Sequence, residues 1–248
     1  MKQLKFLLIA ATMMLLFFAC NSGNNETTTE TTNTDSTMTA TDTTGTEQTQ
    51  PEAPAKPALT VLIKHKVANF DKWLVAYESH DSARLAYGLH NFVVGRGTKD
   101  SNMVLVALRV DDSTKAREFA KLPGLKDAMK KGGVVDTPSF MYTENDWHDD
   151  AGSDAKTDRV IINQKIKDWD AWKKAFDSHK QARTDAGLTD RAVSHAWGDP
   201  HVVSVVLYVS DMKKADDFVK SKDLKDKMAE AGAVGAPDIF FYHVVKQW

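Results

Sequence analysis

Residues 70–88 read FDKWLVAYESHDSARLAYG, and the same pattern returns at residues 169–187 as WDAWKKAFDSHKQARTDAG, 99 positions further along. The similarity extends well beyond this stretch. Residues 60–143 align with residues 159–242 at the same offset without a gap, and about 30 of the 84 pairs are identical. A repeat of about 85 residues is too long for a solenoid unit and long enough for a small domain, so the chain contains a duplicated domain.

The repeated stretch has the spacing of a helix with one inward face. Five positions of the first copy step by four, three, four and three residues: Trp73, Tyr77, His80, Arg84 and Tyr87. At about 100° per residue, these positions fall within roughly 80° of one another. A buried face normally stays apolar, so an imidazole and a guanidinium in both copies must be paired there or must face a pocket.

The sequence around this helix predicts four strands and a second helix in each copy. Val61, Ile63, His65 and Val67 alternate along the first strand of the first copy. The further predicted elements are strands at 92–96, 104–110 and 138–142, a hairpin turn at 98–102, and a helix from about Ser113 to Pro123. The resulting order, β-α-β-β-α-β, is that of the ferredoxin-like split unit and predicts an α+β fold.

Apolar residues on both faces of the strands predict that the two copies pair. Along the third strand, Val104, Val106 and Leu108 point one way, and Leu105 and Ala107 point the other. Helices can cover only one face of each sheet, so the other face needs a second sheet. The second copy can supply it within the same chain. We therefore expect two tandem ferredoxin-like units that pair as an intramolecular α/β barrel with helices outside.

The N-terminal residues predict export and lipid attachment. A basic start from Met1 to Lys5 precedes an apolar run from Phe6 to Phe18, which is too short to span a bilayer well and is typical of a signal peptide. The stretch Phe17-Phe18-Ala19-Cys20 resembles the lipobox of bacterial lipoproteins, in which the cysteine is acylated and becomes the new N-terminus. The alternative is a secreted protein with a spare cysteine in its leader.

The chain divides into five predicted segments. In order, these are the signal peptide at 1–19, a Thr-rich tether at 20–57, the first unit at 58–145, a polar connector at 146–157 and the second unit at 158–248. The tether is too polar to build a core, and its prolines favour an extended chain. We expect a protein of the cell envelope, anchored to the lipid bilayer of the inner or outer membrane through acylated Cys20 and facing the periplasm or the surface.

Composition excludes several kinds of chemistry. Cys20 is the chain's one cysteine, so the domains have no thiol for a disulfide, a nucleophile or a zinc–sulfur site. Removal of Lys2 and Lys5 changes the formal net charge from −2 to −4, and no basic run occurs, which argues against a nucleic-acid partner. The histidines lack metal-ligand spacing, and no phosphate loop, Rossmann fingerprint or nucleophile elbow is present. The sequence therefore predicts no metal and no required cofactor.

These features resemble the dimeric α/β-barrel superfamily, which includes antibiotic-biosynthesis monooxygenase-like and cyclase-like domains. The matching features of the first copy are Lys64-His65-Lys66-Val67, Phe70-Asp71-x-Trp73, Ser79-His80, Ala83-Arg84, Gly88, and Gly133-Val134 before Pro138. The superfamily spans oxygenases, haem-degrading enzymes, peroxidases and stress-response proteins, so the resemblance implies the fold more than one activity. It also implies a ligand pocket between the helices and the sheet of each unit. For a haem-binding member it would imply an axial histidine such as His80 or His179.

Two candidate pockets follow from this placement and from strand parity. The first would contain His65, His80, Arg84 and Arg96, and the second Gln164, His179, Arg183 and His195. The aromatic residues that would line these pockets, or belong to the core, are Trp73, Tyr77, Trp172 and Phe176. In a catalytic interpretation, the helix histidine takes a proton and the helix arginine holds the resulting oxyanion. In a structural interpretation, the same pair binds strand ends, Asp71 or Asp170 and locks the helix onto the sheet.

The sequence thus favours a membrane-tethered lipoprotein whose duplicated barrel binds a small aromatic or anionic molecule. A cofactor-independent monooxygenase or cyclase is the first alternative, and a non-catalytic structural or stress-response protein is the second. The two pockets differ, because His65 and Arg96 of the first correspond to Gln164 and His195 of the second. We therefore expect that the two pockets have diverged in function.

Overall fold

A computed structural model of the chain describes residues 58–149, 151 and 155–248. The predicted signal peptide, the lipidation site Cys20 and the tether up to residue 57 lie outside these described residues. Within the described ranges, no helix is both long and apolar enough to cross a membrane.

The two halves of the chain have the same order of elements. The first half consists of β1 (Leu59–Lys66), α1 (Phe70–Ser79), α2 (Asp81–Leu85), β2 (Leu89–Gly97), β3 (Met103–Val110), α3 (Ser113–Phe119), α4 (Pro123–Lys131) and β4 (Ser139–His148). The second half consists of β5 (Asp158–Ile166), α5 (Trp169–Ser178), α6 (Lys180–Asp185), β6 (Leu188–Ala196), β7 (Asp199–Val209), α7 (Met212–Val219), α8 (Lys222–Glu230) and β8 (Ala233–Gln247). The predicted duplication is therefore present as two βαββαβ units.

Sequence signals at both ends of the repeated stretch explain its limits. The side chains of Asn69 and Asp168 cap α1 and α5 by accepting a hydrogen bond from a backbone N–H of the first turn. Gly88 and Gly187 follow α2 and α6 with φ of +66° and +74°, a left-handed conformation that favours glycine and turns the chain into the next strand.

The repeated stretch forms two helices in each half, where its spacing predicts one. The break falls at His80 (φ −97°, ψ 14°) and at His179 (φ −95°, ψ 13°). At the break, the N–H of His80 donates to the carbonyl of Tyr77, three residues back. The hydroxyl of Ser79 also donates to the carbonyl of Ala76 at 2.7 Å, which draws that carbonyl into a local side-chain contact. The prediction of one continuous helix is wrong for this reason.

Within the described residues, eight strands close into one barrel in the order β1-β3-β2-β8-β5-β7-β6-β4. Each half contributes four neighbouring strands. Two antiparallel pairs join the halves, β2 with β8 and β4 with β6. The α+β fold of two ferredoxin-like units paired within one chain is confirmed.

Strand β4 extends into the segment that the sequence predicts as a connector. It continues to His148, and residues 147 and 148 pair with Val193 and Ala192 of β6. The polar side chains at 146–149 favour a loop, but the backbone pairing that closes the barrel makes residues 146–148 part of a strand. His148, within the segment predicted as a polar connector, therefore ends a strand of the barrel.

The apolar residues form three cores. Each half has one core between its helices and its sheet. These two cores contain the alternating strand residues that the sequence assigns to the helix side, such as Val104 and Val106. The third lies inside the barrel and contains residues of both halves, among them Leu105, Ile161 and Tyr242. The helices thus cover the outside of the barrel, and each helix–sheet core is a place for a pocket.

Candidate functional site

Arg84 of α2 ties the helices to strand β2. Its side chain is 4 % exposed, and all three nitrogen atoms donate to protein groups. Nε donates to Asn91 Oδ1 at 3.1 Å, Nη1 to the carbonyl of Tyr77 at 2.8 Å and Nη2 to Asp81 Oδ1 at 3.3 Å. The guanidinium also lies over the Tyr77 ring, 3.8 Å from its centre. Each nitrogen of the Arg84 guanidinium therefore binds a group of the fold.

Arg183 repeats this arrangement in the second half with a stronger partner. Its Nε and Nη2 donate to the two carboxylate oxygens of Asp190 on β6 at 2.8 and 2.9 Å, and Nη1 donates to the carbonyl of Phe176 at 2.6 Å. Such a bidentate pair is geometrically specific. The structural interpretation expected strand ends, Asp71 or Asp170 as partners. The strand partners are Asn91 and Asp190, near the starts of β2 and β6, so the expectation of Asp71 and Asp170 is wrong and that of strand ends holds.

The two helix histidines lie at the helix breaks. His80 is exposed, although its ring borders a small cavity. The side chain of His179 is 18 % exposed, lies 3.4 Å from an Asp223 carboxylate oxygen and packs against Phe218. The expectation of a buried imidazole on this face is wrong for His80, because the break turns this residue toward solvent.

His65 of β1 is the buried histidine of the first half. It is 3 % exposed, and neither of its ring nitrogens has a hydrogen-bond partner among the described residues. Burial disfavours the imidazolium and lowers the pKa of His65 from 6.5 to about 4, an effect that the carboxylate of Asp136 offsets in part. The ring packs 5.4 Å from the Trp73 ring centre. His65 is therefore a neutral imidazole with its full hydrogen-bonding capacity unused.

Gln164 stands at the equivalent position of the second half and is largely satisfied. Its Nε2 donates to the carbonyls of Lys165 and Val234, both at 2.9 Å. Only Oε1 stays without a partner in the part of the chain that the structure describes. The predicted divergence of the two pockets thus includes a chemical difference, a free imidazole in one half and a mostly bonded amide in the other.

Arg96 and His195, predicted as pocket residues, lie outside both cavities. The Arg96 guanidinium stacks on Phe70 at 4.4 Å and donates to the carbonyl of Ser101. His195 Nδ1 lies 2.8 Å from a carboxylate oxygen of Asp146, and its ring meets Trp169 edge-on. The two residues occupy equivalent positions of the two halves. Each packs against the first residue of a helix, Phe70 of α1 or Trp169 of α5, and neither lines a cavity.

Each helix–sheet core contains one small cavity. The first has about 70 Å³ and is lined by His65, Trp73, Tyr77, His80 and Arg84 together with apolar residues of α3 and α4. The second has about 80 Å³ and is lined by Gln164, Trp172, Phe176, His179 and Arg183 together with residues of α7 and α8. The structure thus brings together three of the four predicted residues of each pocket.

The aromatic residues that line these cavities also belong to the helix–sheet cores. The rings of Trp73 and Tyr77 stack at 5.1 Å, and those of Trp172 and Phe176 at 5.2 Å. The Tyr77 hydroxyl donates to Asn91 Oδ1 at 2.6 Å, so it is already satisfied. Burial raises the pKa of Tyr77 well above its ordinary value, which keeps this phenol neutral.

These cavities do not fit haem. Sites for cofactors of that size typically enclose about 300 to 1,000 Å³, and the two cavities enclose about 70 and 80 Å³. His80 and His179, the candidate axial ligands, line these two small cavities. Among the described residues, no group of three histidine, cysteine or carboxylate side chains is arranged to hold a metal ion.

A cavity far larger than these two lies inside the barrel formed by the described residues, and the sequence did not predict it. It has about 700 Å³ and is lined by residues of every strand. Arg159 and Arg191 border it and are 2 % and 5 % exposed. The available signal was strand parity, because positions that face away from the helices face the barrel interior. Ser194 and Ser204 occupy such positions, where a packed interior would favour apolar residues.

The sequence matches no protein-family model and no curated protein. Solved structures do share its architecture. An anthrone oxidase-like protein matches with a TM-score of 0.54 at 16 % identity, over 78 % of this chain and 94 % of that one. The chain has the dimeric α/β-barrel fold.

Two further structures with this fold are a candidate chlorite dismutase, TA0507, and a candidate monooxygenase from Lactobacillus acidophilus NCFM. The first matches with a TM-score of 0.51 at 12 % identity, over 77 % of this chain and 96 % of that one. The second matches with a TM-score of 0.45 at 12 % identity, over 76 % of this chain and 94 % of that one. At these identities the two likenesses with a TM-score above 0.5 show the fold and no activity.

Proposed function

We propose that this chain is a small-molecule-binding protein whose first half takes a hydroxylated aromatic compound against His65. The observation that carries the proposal is a buried imidazole with two unpartnered nitrogens on the wall of a cavity. Leaving such a polar group unsatisfied costs about 1 to 3 kcal/mol, so the fold retains it at the expense of stability. A ligand that forms the missing hydrogen bond recovers this energy.

The surroundings of His65 define the class of ligand. The Trp73 and Tyr77 rings and the side chains of Leu125 and Met129 give the cavity an apolar and largely aromatic lining. A flat aromatic ring suits this lining, and a phenolic hydroxyl can donate to a neutral imidazole nitrogen. An anionic ligand is disfavoured, because the guanidinium of Arg84 is already bonded on all three nitrogens.

The same geometry favours binding over proton abstraction. A general base works best when its pKa lies near the working pH, whereas the pKa of His65 is lowered to about 4. His80 and His179 are the bases of the catalytic interpretation; His80 is exposed, and His179 lies 3.4 Å from a carboxylate oxygen of Asp223. The arginines that would hold an oxyanion already donate to groups of the protein from all three of their nitrogens. We therefore place the monooxygenase or cyclase interpretation behind a binding role.

Entry of an aromatic ring requires helix α4 to move. Benzene occupies an engineered protein cavity of about 150 Å³, and the cavity at His65 has about 70 Å³. Helix α4 contributes Leu125, Ala128 and Met129 to the wall and contains no buried residue. A helix held so loosely can shift outward at small cost, and methionine adapts its shape easily.

Calorimetric titration with phenol tests the proposal. We expect phenol to bind the full chain, and His65→Leu to weaken binding about tenfold, the loss expected for one hydrogen bond of about 1.4 kcal/mol. The matched control is Gln164→Leu at the equivalent position of the second half, which should leave the phenol affinity unchanged. Equal affinities of the wild type and His65→Leu would refute the proposed contact.

We also propose that acylated Cys20 anchors the protein to a bilayer of the cell envelope. The support is the leader sequence followed by the polar segment up to residue 57. Phase separation in Triton X-114 is the direct assay. The wild-type chain should enter the detergent phase after cleavage of the leader, and its mass should include acyl chains on Cys20. Recovery of a cleaved, unacylated chain from the aqueous phase would exclude the anchor.

A further inference from the structure

The cavity inside the barrel is about ten times larger than either helix–sheet cavity, at about 700 Å³ compared with 70 and 80 Å³. Its volume lies within the range of about 300 to 1,000 Å³ that is typical of ligand sites. It reaches the surface near Asp111, whose side chain is 66 % exposed and which lines its outer part. A closed barrel of this size usually fills its interior with side chains, so an open interior needs an explanation.

The lining of this cavity is mostly apolar. Among the described residues, every strand except β4 contributes an apolar or aromatic side chain to it, and polar side chains stand among them on most strands. The central apolar members belong to the core inside the barrel: Leu62, Val93, Leu105, Ile161 and Val206. Such a lining favours an apolar molecule, because the molecule and the lining both lose contact with water when it binds.

The arginines of the lining already contact other groups of the protein. The Arg109 guanidinium lies over the Phe92 ring, 4.3 Å from its centre. Arg159 donates to Gln247 Oε1 at 2.9 Å and to a backbone carbonyl at 3.4 Å. Arg191 lies 6.0 Å from the centre of an aromatic ring of β7 and has further contacts within the protein. None of these three guanidinium groups is therefore counted as a free charge for a ligand.

The two carboxylates of the lining are engaged as well. Asp111 Oδ2 lies 2.7 Å from His90 Nε2, and Glu144 Oε2 lies 3.9 Å from His195 Nε2. A ligand with a net charge would thus enter a mostly apolar interior whose described charged groups already have partners. Burial of a charge without a counter-charge of its own is costly. The lining therefore favours a neutral ligand.

One hydroxyl of the lining has no partner. Ser204 of β7 stands between Val203 and Val205, which belong to the helix–sheet core, so its side chain faces the barrel interior. Ser204 is 2 % exposed, and its hydroxyl has no hydrogen-bond partner in the described part of the chain. By contrast, the Ser194 hydroxyl donates to Asn145 Oδ1 at 2.7 Å. A buried hydroxyl without a partner is uncommon, and on a cavity wall it offers a contact to a bound molecule.

We propose that the barrel interior binds a neutral, largely apolar molecule with one hydrogen-bonding group, such as an amine or an alcohol. The apolar body lies against Leu105, Ile161 and Val206, and the polar group forms a hydrogen bond with the Ser204 hydroxyl. This site goes beyond the proposed function. It is separate from the cavity at His65, since the sheet lies between them.

Fluorescence titration of the full chain with two probes of the same skeleton tests the proposal. N-phenyl-1-naphthylamine is neutral and has one N–H group, whereas 8-anilinonaphthalene-1-sulfonate has an added anionic group. Both are too large for the helix–sheet cavities, since benzene alone occupies a cavity of about 150 Å³. We expect the neutral probe to bind about tenfold more tightly than the sulfonate, because burial of the sulfonate charge is costly. Equal affinities, or tighter binding of the sulfonate, would overturn the neutral assignment.

A serine variant tests the polar contact. Ser204→Ala should weaken binding of the neutral probe about fivefold to tenfold, the loss expected for one hydrogen bond. The matched control is Ser210→Ala, because the Ser210 hydroxyl donates to the carbonyl of Gly187 and does not line the cavity. This control should leave the affinity unchanged. Equal affinities of the wild type and Ser204→Ala would refute the contact.

Two alanine variants locate the site. Ala107→Trp and Ala192→Trp each place a large ring inside the cavity from a different strand and should remove most of the fluorescence increase of the neutral probe. His65→Leu should leave it unchanged. Thermal unfolding establishes which variants are folded, and Ala192→Trp decides where Ala107→Trp does not fold. Full binding to a folded tryptophan variant would exclude the barrel interior, and so would loss of binding in folded His65→Leu. No binding to the wild type would mean that water alone fills the cavity and would refute the proposal.

Discussion

At the scale of single residues, the sequence predicted which side chains are buried better than it predicted their roles. The spacing placed Arg84 and Arg183 on an inward face, and both are buried. Their partners Asn91 and Asp190 lie on the following strands, seven residues further along the chain. The sequence could not select them over Asp71 or Asp170, because a hydrogen bond depends on the angle at which a helix meets the sheet.

For His65, the sequence indicated only its side of the strand, although this residue is central to the proposed ligand site. Strand parity placed it on the helix side of β1, as observed. The sequence could not show that both ring nitrogens lack partners, because this depends on every neighbouring element at once.

The pH dependence of folding tests the state of His65. The unfolded chain takes up a proton on this residue near pH 6.5, whereas the folded chain resists protonation down to about pH 4. The unfolded state therefore gains stability over the folded state as the pH falls through this window, and full protonation would cost the fold roughly 3 kcal/mol. We expect urea unfolding to show that the free energy of unfolding falls more between pH 7 and pH 4.5 for the wild type than for His65→Gln. Parallel losses in the two proteins would contradict a buried neutral His65.

At the scale of elements, the sequence predicted the number and order of strands and helices and missed one break. Repeated apolar alternation, capping residues and glycines specified most boundaries. The breaks at His80 and His179 were not predictable from the sequence, because no proline or glycine lies near them. The extension of β4 was missed because Asn145, Asp146 and His148 are polar, and strand pairing with β6 overrides their preference for a loop.

Two glycine variants test the packing of elements. A Cβ atom at Gly95 of β2 would lie 2.3 Å from the Tyr242 ring of β8, so Gly95→Ala must displace a strand or a buried ring. We expect this variant to lose about 2 kcal/mol of unfolding free energy, the usual scale of overpacking. Gly124→Ala is the matched control, because no atom lies within 4 Å of the added carbon. A helix position of this kind should be neutral or gain up to about 1 kcal/mol. Equal effects of the two substitutions in denaturant unfolding would show that β2 and β8 do not approach as described.

At the scale of the whole molecule, the duplication determined the architecture. A sheet with two apolar faces and one layer of helices is incomplete, and a second copy at a fixed offset completes it. The cavity inside the barrel was not predictable in the same way, because its volume is a small difference between the space enclosed and the side chains that fill it.

The first half alone, residues 58–148, tests how far the two halves depend on each other. Without the second half, β2 and β4 each lose one partner strand, β8 and β6, and the inner face of the sheet meets water. We expect this fragment to pair with itself or to aggregate, as exposed strand edges and an apolar face require. Analytical ultracentrifugation measures the outcome. A cooperative, well-folded monomer would contradict the closed barrel as a single folding unit.

The most direct test of the central claim, a ligand site built on a free neutral imidazole, is ¹⁵N NMR of the His65 ring during a titration with phenol. The account predicts ring nitrogens typical of neutral imidazole from pH 5 to pH 8 and a large shift of one nitrogen on saturation with phenol, with little change at His179. Titration of His65 near pH 6.5, or a ring signal that phenol leaves unchanged, would contradict the account.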